Sequence, residues 1–216
     1  FCPPTFDMYR LYADIQNVKV IEIPLLRNQS LIDDFSLDTK KVINQINMGT
    51  KIVFICSPNN PTGGSMARKD IIEICNAARG RALVVLDEAY QEFSTEEELN
   101  PLQKTNDHVV SLRTLSKFVS LAGVRCGAVI GAKKLITFLE NVLPPYTFPT
   151  PSIELVLKAL DKGSLAISKE KNSIILSERL RLKDELMKFP VVERVWPSDA
   201  NFILISTSER ERFVIA

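Results

Sequence analysis

The chain has 216 residues, of which 45% are hydrophobic and 25% are charged, so it can bury a full globular core. Its 27 basic and 26 acidic side chains leave a net charge of +1, which argues against the basic surface of a nucleic-acid-binding protein. No apolar run approaches the ~18 residues of a membrane helix, and nothing resembles a signal peptide. We therefore expect a soluble, cytoplasmic protein without nucleic-acid or membrane partners.

Cysteine and histidine are too sparse for metal or triad chemistry. Cys2, Cys56, Cys75 and Cys126 form no CxxC pair, and His108 is the only histidine. Neither a zinc cluster nor a histidine-based triad can be built from them. We predict no metal site and interpret the thiols as core residues of a protein in a reducing compartment. The chain does not open on methionine, and no cap closes its end, which predicts a piece of a longer protein.

The first fifty residues predict two helices and a short strand. The first helix spans about 6–15, with Thr5 as its N-cap after two prolines. Branched residues over 18–23 predict a short strand that Pro24 ends. A polar connection leads to a second helix over about 37–47, which has one apolar face.

The middle of the chain predicts an open parallel sheet. Residues 51–56 and 82–86 are nearly continuous apolar runs, typical of strands that are buried on both faces. A helix over about 68–79 joins them into a βαβ unit. Two further strands are predicted at 109–112 and 128–130.

The last part of the chain predicts mainly helices. They cover about 133–142 and 151–161, and a long helix with one apolar face follows, which Pro190 ends. A last strand over 201–205 is predicted to belong to a second domain.

Residues with useful chemistry come directly after three of these strands. The asparagines at 59–60 lie in a loop rich in proline and glycine, Asp87 and Tyr90 follow the second strand, and Ser116 and Lys117 follow the third. Ligands of such folds bind outside the carboxyl ends of the strands. We therefore expect these residues to converge on one edge of the sheet.

Lys117 is the strongest candidate for covalent chemistry. Thr114, Ser116 and Arg125 are close to it in sequence and together could bind a phosphate. An amine beside a phosphate site suits a Schiff base with a phosphorylated aldehyde cofactor. Taken alone, Lys117 could be an ordinary loop lysine, one of 27 basic residues, and Arg125 a surface arginine.

Asp87 alone could equally be a helix cap or a partner for a nearby lysine. Beside Lys117, its carboxylate could keep a pyridine nitrogen protonated, which makes the ring a better electron acceptor. Tyr90 and the amide of Asn60 could reach the ring hydroxyl. Phe6 could cover a ring face, although an aromatic residue in an early helix is more often part of the core.

Several stretches together resemble one enzyme family. They are SPNNPTG at 57–63, DEAY at 87–90, LRTLSK at 112–117, LAGVRCG at 121–127 and PTFDMY at 4–9. Their order and spacing resemble those of fold-type I pyridoxal-phosphate aminotransferases, specifically the histidinol-phosphate aminotransferase branch. The resemblance covers nearly the whole chain.

The resemblance implies both a fold and an assembly. The fold is α/β, with the three-layer, mostly parallel sheet of the large cofactor-binding domain over 1–162, whose N-terminal part is absent. Residues 163–216 would be part of a small α+β C-terminal domain. Full-length members of the family are expected to be homodimers.

The resemblance also implies a role for each candidate residue in binding pyridoxal 5′-phosphate. Lys117 forms the internal aldimine and then moves a proton between the substrate α-carbon and cofactor C4′, and Asp87 pairs with the ring nitrogen. Asn60 and Tyr90 pair with the ring oxygen, and Phe6 stacks on the ring. The implied phosphate ligands are Thr114, Ser116 and Arg125.

The reaction implied by the resemblance moves an amino group from glutamate to imidazole acetol phosphate, giving histidinol phosphate and 2-oxoglutarate in histidine biosynthesis. An aromatic or broad-range aminotransferase, or a threonine-phosphate decarboxylase of the same fold, would keep the same motifs. A non-catalytic fragment is a further alternative. An upstream glycine loop, an aromatic residue lent by a partner subunit and a C-terminal substrate arginine all have no counterpart in this sequence.

Overall fold

A computed structural model describes residues 1–28, 34–95 and 99–208. The α-helices are α1 (Met8–Ile15), α2 (Thr39–Gln45), α3 (Arg68–Ala78), α4 (Lys133–Glu140), α5 (Thr150–Ala159) and α6 (Lys162–Leu186). The strands are β1 (Ile52–Cys56), β2 (Leu83–Asp87), β3 (Val109–Thr114), β4 (Gly127–Gly131), β5 (Val192–Val195) and β6 (Ile205–Thr207). Short 3-10 helices cover Gln91–Phe93, Asn100–Lys104 and Ala122–Val124.

The strands β1 to β4 form one sheet in that order. β1, β2 and β3 are parallel, whereas β4 runs antiparallel to β3. The register places Cys56 beside Asp87, Asp87 beside Leu112, and Thr114 beside Gly127. Because parallel strands end at the same edge, the loops after β1, β2 and β3 all begin there. The predicted α/β fold with a mostly parallel sheet is confirmed.

The sheet and α3 share an apolar core. Val84, Leu86 and Val109 are fully buried, as expected for strands covered on both faces. The apolar face of α3 is buried as predicted, and Ile71 and Ile74 have no exposed surface. Burial of a side chain of this size contributes about 1.5–3 kcal/mol, so this core fixes the positions of the strand ends.

The two N-terminal helices are shorter than predicted. α1 begins at Met8, and its N-cap residue is Asp7 rather than the predicted Thr5. The Thr5 side chain instead bonds to a loop that follows β1, and a hydroxyl that has a tertiary partner is not available as a cap. α2 begins after Asp38, whose carboxylate accepts a hydrogen bond from the backbone of Lys41.

The predicted strand over 18–23 does not form. Three hydrogen bonds nevertheless connect this region to the start of the chain: Phe1 N donates to Ile21 O at 3.1 Å, Ile23 N to Phe1 O at 3.0 Å, and Leu25 N to Pro3 O at 2.7 Å. The partner segment contains Pro3 and Pro4, which have no backbone N–H to continue a ladder, so these bonds do not extend into a strand.

The C-terminal part has one more strand than predicted. α6 ends at Leu186, four residues before Pro190, and the short strand β5 follows it. β5 pairs antiparallel with β6, which begins only where the predicted strand 201–205 ends. The connection is a wide turn, and Trp196 N donates to Leu204 O at 3.0 Å across its base.

The helix α6 also contacts the loop that follows β2. The Asn172 amide donates to Glu92 O at 2.6 Å, and the Arg179 guanidinium donates to Phe93 O at 3.1 Å. The predicted domain boundary after residue 162 falls in the first turn of α6 and stays a prediction. Among the helices in the described ranges, none is both long and apolar enough to cross a membrane.

A buried carboxylate connects the loop before α2 to β5. Asp34 Oδ2 accepts from Trp196 Nε1 at 2.9 Å and from Arg194 at 3.2 Å, and Oδ1 accepts from Arg27 Nε at 3.0 Å and Asn28 N at 2.9 Å. Burial acts to raise the pKa of Asp34, but the hydrogen bonds from Trp196, Asn28 and Arg27 outweigh it and lower the pKa overall. The charged form is therefore the one that the fold stabilises.

We expect Asp34→Asn to lower the free energy of unfolding at pH 7 by about 1–3 kcal/mol, the cost of impairing buried charge-assisted hydrogen bonds. Because the folded-state pKa is depressed, the wild-type advantage is present above the ordinary aspartate pKa of about 3.9 and is lost as the pH falls through the folded-state value. Urea unfolding at several pH values measures both effects. Asp14→Asn is the control, since the Asp14–Arg10 pair is exposed; an equal loss in both variants would contradict the assignment.

Candidate active site

The carboxyl edge of the sheet brings the three predicted loops together. Ser57 N donates to Asp87 O at 2.9 Å, and Glu88 N donates to Leu112 O at 3.0 Å. The first residues of the loops after β1 and β2 are therefore hydrogen-bonded to the end of the next strand. The three motifs therefore begin at one edge of the sheet, as the sequence predicted.

The two asparagines of the loop after β1 have different environments. Asn59 is 1% exposed; its Oδ1 accepts from Thr5 Oγ1 at 2.7 Å, and its Nδ2 donates to Pro4 O at 2.9 Å and Thr62 Oγ1 at 2.8 Å. The side chain of Asn60 is half-buried and has no such internal network among the described residues. Asn59 therefore fixes the loop, whereas the role of Asn60 in binding a cofactor stays a prediction.

The same loop packs against the turn between β5 and β6. Gly63 has φ +83°, and a Cβ there would lie 2.7 Å from Ser198 Oγ, so only glycine fits. Asp199 N donates to Gly63 O at 2.7 Å, and Ser65 N donates to Asp199 Oδ2 at 3.0 Å. The position of this loop therefore depends on residues such as Asp199, which lies 134 positions after Ser65.

Asp87 ends β2 with both of its carboxylate oxygens hydrogen-bonded. Oδ2 accepts from the Tyr9 hydroxyl at 2.5 Å, and Oδ1 accepts from Ala89 N at 3.1 Å. Cys56 lies next to it, and burial, followed by the Asp87 charge, raises the pKa of its thiol to about 12. A thiol with this pKa is not a nucleophile at neutral pH.

Tyr90 connects the acid loop to the lysine loop. Its ring is buried, and the Lys117 amine lies 5.2 Å from the ring centroid, within range of a cation–π contact. The ring of Phe202 packs edge-on against Tyr90, with centroids 5.1 Å apart. Two of the predicted catalytic residues are thus in contact.

The lysine loop is a closed backbone turn. Leu121 N donates to Leu115 O at 2.9 Å, and Ser120 N donates to Lys117 O at 3.1 Å. Ser120 and Arg125 have left-handed backbones with φ of 60° and 56°, which costs of order 1–3 kcal/mol each for residues other than glycine. This unusual backbone presents Lys117 at the surface, where its side chain is exposed.

The three predicted phosphate ligands lie at the ends of this turn. Thr114 Oγ1 accepts from Ser116 N at 3.1 Å, so the threonine hydroxyl keeps its proton free to donate. One N–H of the exposed Arg125 guanidinium donates to Ala122 O at 3.0 Å. Gly127 follows, and a Cβ there would lie 2.8 Å from Arg113 O, so this glycine permits β4 to leave the turn beside β3.

Phe6 is 41% exposed, so it is not a core residue. Its ring packs edge-on against Tyr9, with centroids 5.7 Å apart and an interplanar angle of 84°. A partly exposed aromatic ring beside the Asp87 partner is compatible with the predicted ring-stacking role, which stays a prediction.

Sequence reasoning missed four residues of this site. Tyr9 lies in the stretch PTFDMY, but nothing in that stretch indicated that its hydroxyl would reach Asp87, 78 residues away. Ser198, Asp199 and Phe202 follow a proline without any regular period, so no local pattern indicated their contacts. In the described ranges, no group of three His, Cys, Asp or Glu side chains could hold a metal ion.

An open α/β sheet with an acid and a lysine loop at its carboxyl edge is the architecture of a fold-type I transferase. The chain belongs to the family of class I and II aminotransferases, whose model matches residues 1–214. The predicted membership in the aminotransferases is thereby confirmed.

Curated relatives narrow the similarity further. The chain is 38% identical over 212 residues to the histidinol-phosphate aminotransferase of Buchnera aphidicola subsp. Acyrthosiphon pisum (strain Tuc7), covering 98% of this chain and 56% of the relative. It is 40% identical over 205 residues to histidinol-phosphate aminotransferase 1 of Haemophilus influenzae (strain 86-028NP), covering 95% of this chain and 56% of that relative. The chain therefore spans little more than half the length of these relatives, as the sequence predicted for a piece of a longer protein.

Solved structures support the same fold. The histidinol-phosphate aminotransferase of Clostridium acetobutylicum matches with a TM-score of 0.82 and 23% identity, over 95% of this chain and 60% of that one. A double mutant of the aspartate aminotransferase of Thermus thermophilus matches with a TM-score of 0.82 and 21% identity, over 96% of this chain and 55% of that one. At these identities the structures share the fold and do not distinguish between substrates.

We expect Asn59→Ala to lower the free energy of unfolding by about 1–3 kcal/mol, because it leaves buried partners on Thr5, Thr62 and Pro4 without a hydrogen bond. Asn60→Ala is the matched control and should change stability by no more than about 0.5 kcal/mol. Urea unfolding of both variants measures the difference. A larger loss for Asn60→Ala would mean that the two roles are reversed.

Proposed function

We propose that the full-length protein is a pyridoxal-phosphate-dependent aminotransferase that moves an amino group from glutamate to imidazole acetol phosphate, producing histidinol phosphate and 2-oxoglutarate in histidine biosynthesis. The observation that carries this proposal is the meeting of Asp87, Tyr90 and Lys117 at one sheet edge, in a chain 38% identical to a protein named histidinol-phosphate aminotransferase.

The side chains at this edge fit pyridoxal phosphate chemically. A carboxylate offers about four lone-pair sites, and the two hydrogen bonds from Tyr9 and Ala89 leave Asp87 able to accept another. The Lys117 amine lies over the Tyr90 ring and forms no salt bridge within the ranges that the structure describes. It is therefore available to bond an aldehyde.

Bound pyridoxal phosphate would supply an aldehyde that bonds amines and a ring that withdraws electron density from the substrate α-carbon. Lys117 would hold the cofactor through its amine and move the proton at that α-carbon. Asp87 would hold a proton on the ring nitrogen, because an opposite charge favours the protonated form. Phe6 would exclude water from one face of the ring.

The remaining residues would orient the cofactor. Asn60 and Tyr90 would bind the ring oxygen. Thr114 and Ser116 would donate hydroxyl hydrogen bonds to the phosphate, and the planar fork of Arg125 would donate two at once. Charge-assisted bonds of this kind are about twice as strong as neutral ones, so these groups would govern cofactor affinity rather than the proton transfer.

We further propose a homodimeric, cytoplasmic protein with its large domain over 1–162 and its small domain over 163–216. The cysteines are all free, which supports a reducing compartment. Val142, Leu143 and Tyr146 are exposed large apolar side chains in one short segment after α4, which supports a contact with further protein there. Sedimentation of the full-length protein would measure the subunit number.

The substrate assignment is tested by assaying the full-length protein with pyridoxal phosphate on histidinol phosphate, phenylalanine and threonine phosphate. We expect kcat/KM for histidinol phosphate to exceed that for phenylalanine by at least about tenfold, the factor that 1.4 kcal/mol of differential binding supplies. The reverse preference would favour an aromatic aminotransferase, and release of carbon dioxide from threonine phosphate would favour a decarboxylase. A protein that neither binds the cofactor nor turns over any substrate would overturn the proposal.

We expect Lys117→Ala in the full-length protein to lower kcat by at least about 10²–10⁴, the contribution of a positioned proton-transfer group. Borohydride reduction of the wild-type protein should attach the cofactor to Lys117, and peptide mass spectrometry locates the adduct. Lys51→Ala is the control, because Lys51 is an exposed lysine at the opposite, amino end of β1. An adduct on another lysine would refute the assignment.

A further inference from the structure

The hydrogen bond between Tyr9 and Asp87 joins two parts of the chain that the sequence pattern did not connect. The phenol of α1 donates to Oδ2 of the acid at the end of β2, 78 residues away, at 2.5 Å. Hydroxyl-to-carboxylate bonds of about 2.5–2.7 Å are charge-assisted and roughly twice as strong as neutral ones. The contact is therefore one of the strongest polar interactions at the candidate site.

The Tyr9 ring is held so that its hydroxyl has a fixed position. It stacks on Phe54 of β1, with centroids 4.7 Å apart and an interplanar angle of 19°. Phe6 packs against it edge-on at 5.7 Å, and Phe1 packs at 6.2 Å. Tyr9 is only 9% exposed, so its side chain has little freedom to turn away from Asp87.

The protonation state of Tyr9 makes it a permanent donor. Burial, followed by the nearby Cys56 and Asp87 groups, raises the pKa of the Tyr9 phenol well above its ordinary value. The hydroxyl therefore keeps its proton throughout the working pH range. A hydrogen bond donated to a carboxylate favours the charged form of that carboxylate.

We propose that Tyr9 is a positioning residue for the cofactor site: its hydroxyl fixes the orientation of the Asp87 carboxylate and stabilises the charge that a protonated ring nitrogen requires. This inference rests on the proposed function. Ala89 N holds the other oxygen, Oδ1, at 3.1 Å, so each carboxylate oxygen has one internal partner. Tyr9 also packs against Phe6, the predicted ring-stacking residue. It therefore contacts both Asp87, the proposed partner of the ring nitrogen, and the residue proposed to cover the ring face.

The test compares two ligands in the full-length protein, first freed of cofactor. One ligand is pyridoxal phosphate, and the other is its analogue in which carbon replaces the ring nitrogen, so that it cannot pair with a carboxylate. We expect Tyr9→Phe, which removes only the hydroxyl, to raise Kd for pyridoxal phosphate about tenfold, the scale of one hydrogen bond to a charged group. Kd for the analogue should change by less than about twofold, because the analogue does not pair with Asp87. Absorption titrations measure both constants.

The matched control is Tyr12→Phe, which removes a hydroxyl from a 62% exposed tyrosine on the same helix and should change neither constant. On an Asp87→Asn background, Tyr9→Phe should add no further loss, because the two residues act as a unit. Equal weakening of both ligands would mean that Tyr9 only supports the fold, and an unchanged Kd for pyridoxal phosphate would equally overturn the proposal. If the unmodified protein fails to bind pyridoxal phosphate, the proposed function itself is wrong.

Discussion

The register of the three parallel strands is the constraint on which the candidate site depends. Cys56, Asp87 and Leu112 are neighbours across the sheet, so the loops that follow them must start side by side. Fully buried side chains such as Val84 and Val109 hold this register, because the strands cannot slide past each other without disrupting a close-packed core. The chemistry of the edge is therefore a consequence of how the core packs.

Packing of the strands alone does not fix the loops, and two sets of polar contacts do so. Asn59 connects the loop after β1 to the start of the chain through Thr5 and Pro4. The contacts of Gly63 with Ser198 and Asp199 connect the same loop to the turn after β5. The loop that carries Asn60 is thus held from two sides by segments distant in sequence. Among the described residues, the Asn60 side chain has no part in this network, so its amide is available for the cofactor contact that we propose.

Backbone strain is concentrated in the loop that presents Lys117. Ser120 and Arg125 both have left-handed backbones, which surrounding structure must stabilise. The supports are the hydrogen bonds that close the turn and the antiparallel pairing of Thr114 with Gly127. Strained backbone at a functional loop is a known way to keep a reactive group in a defined position. In this loop the Lys117 side chain is exposed, while β3 and β4, the strands on either side of the loop, remain paired with each other.

The sequence by itself determined the sheet, the helix α3 and the candidate residues, because continuous apolar runs, helical periodicity and short motifs are local signals. It also indicated that Asp87, Tyr90 and Lys117 would meet, since parallel strands share an edge. Only the tertiary structure decided which asparagine fixes its loop, why Thr5 is not a cap, and that Tyr9 holds Asp87. Each of these depends on a hydrogen bond between residues more than 50 positions apart, and no local pattern encodes such a partner.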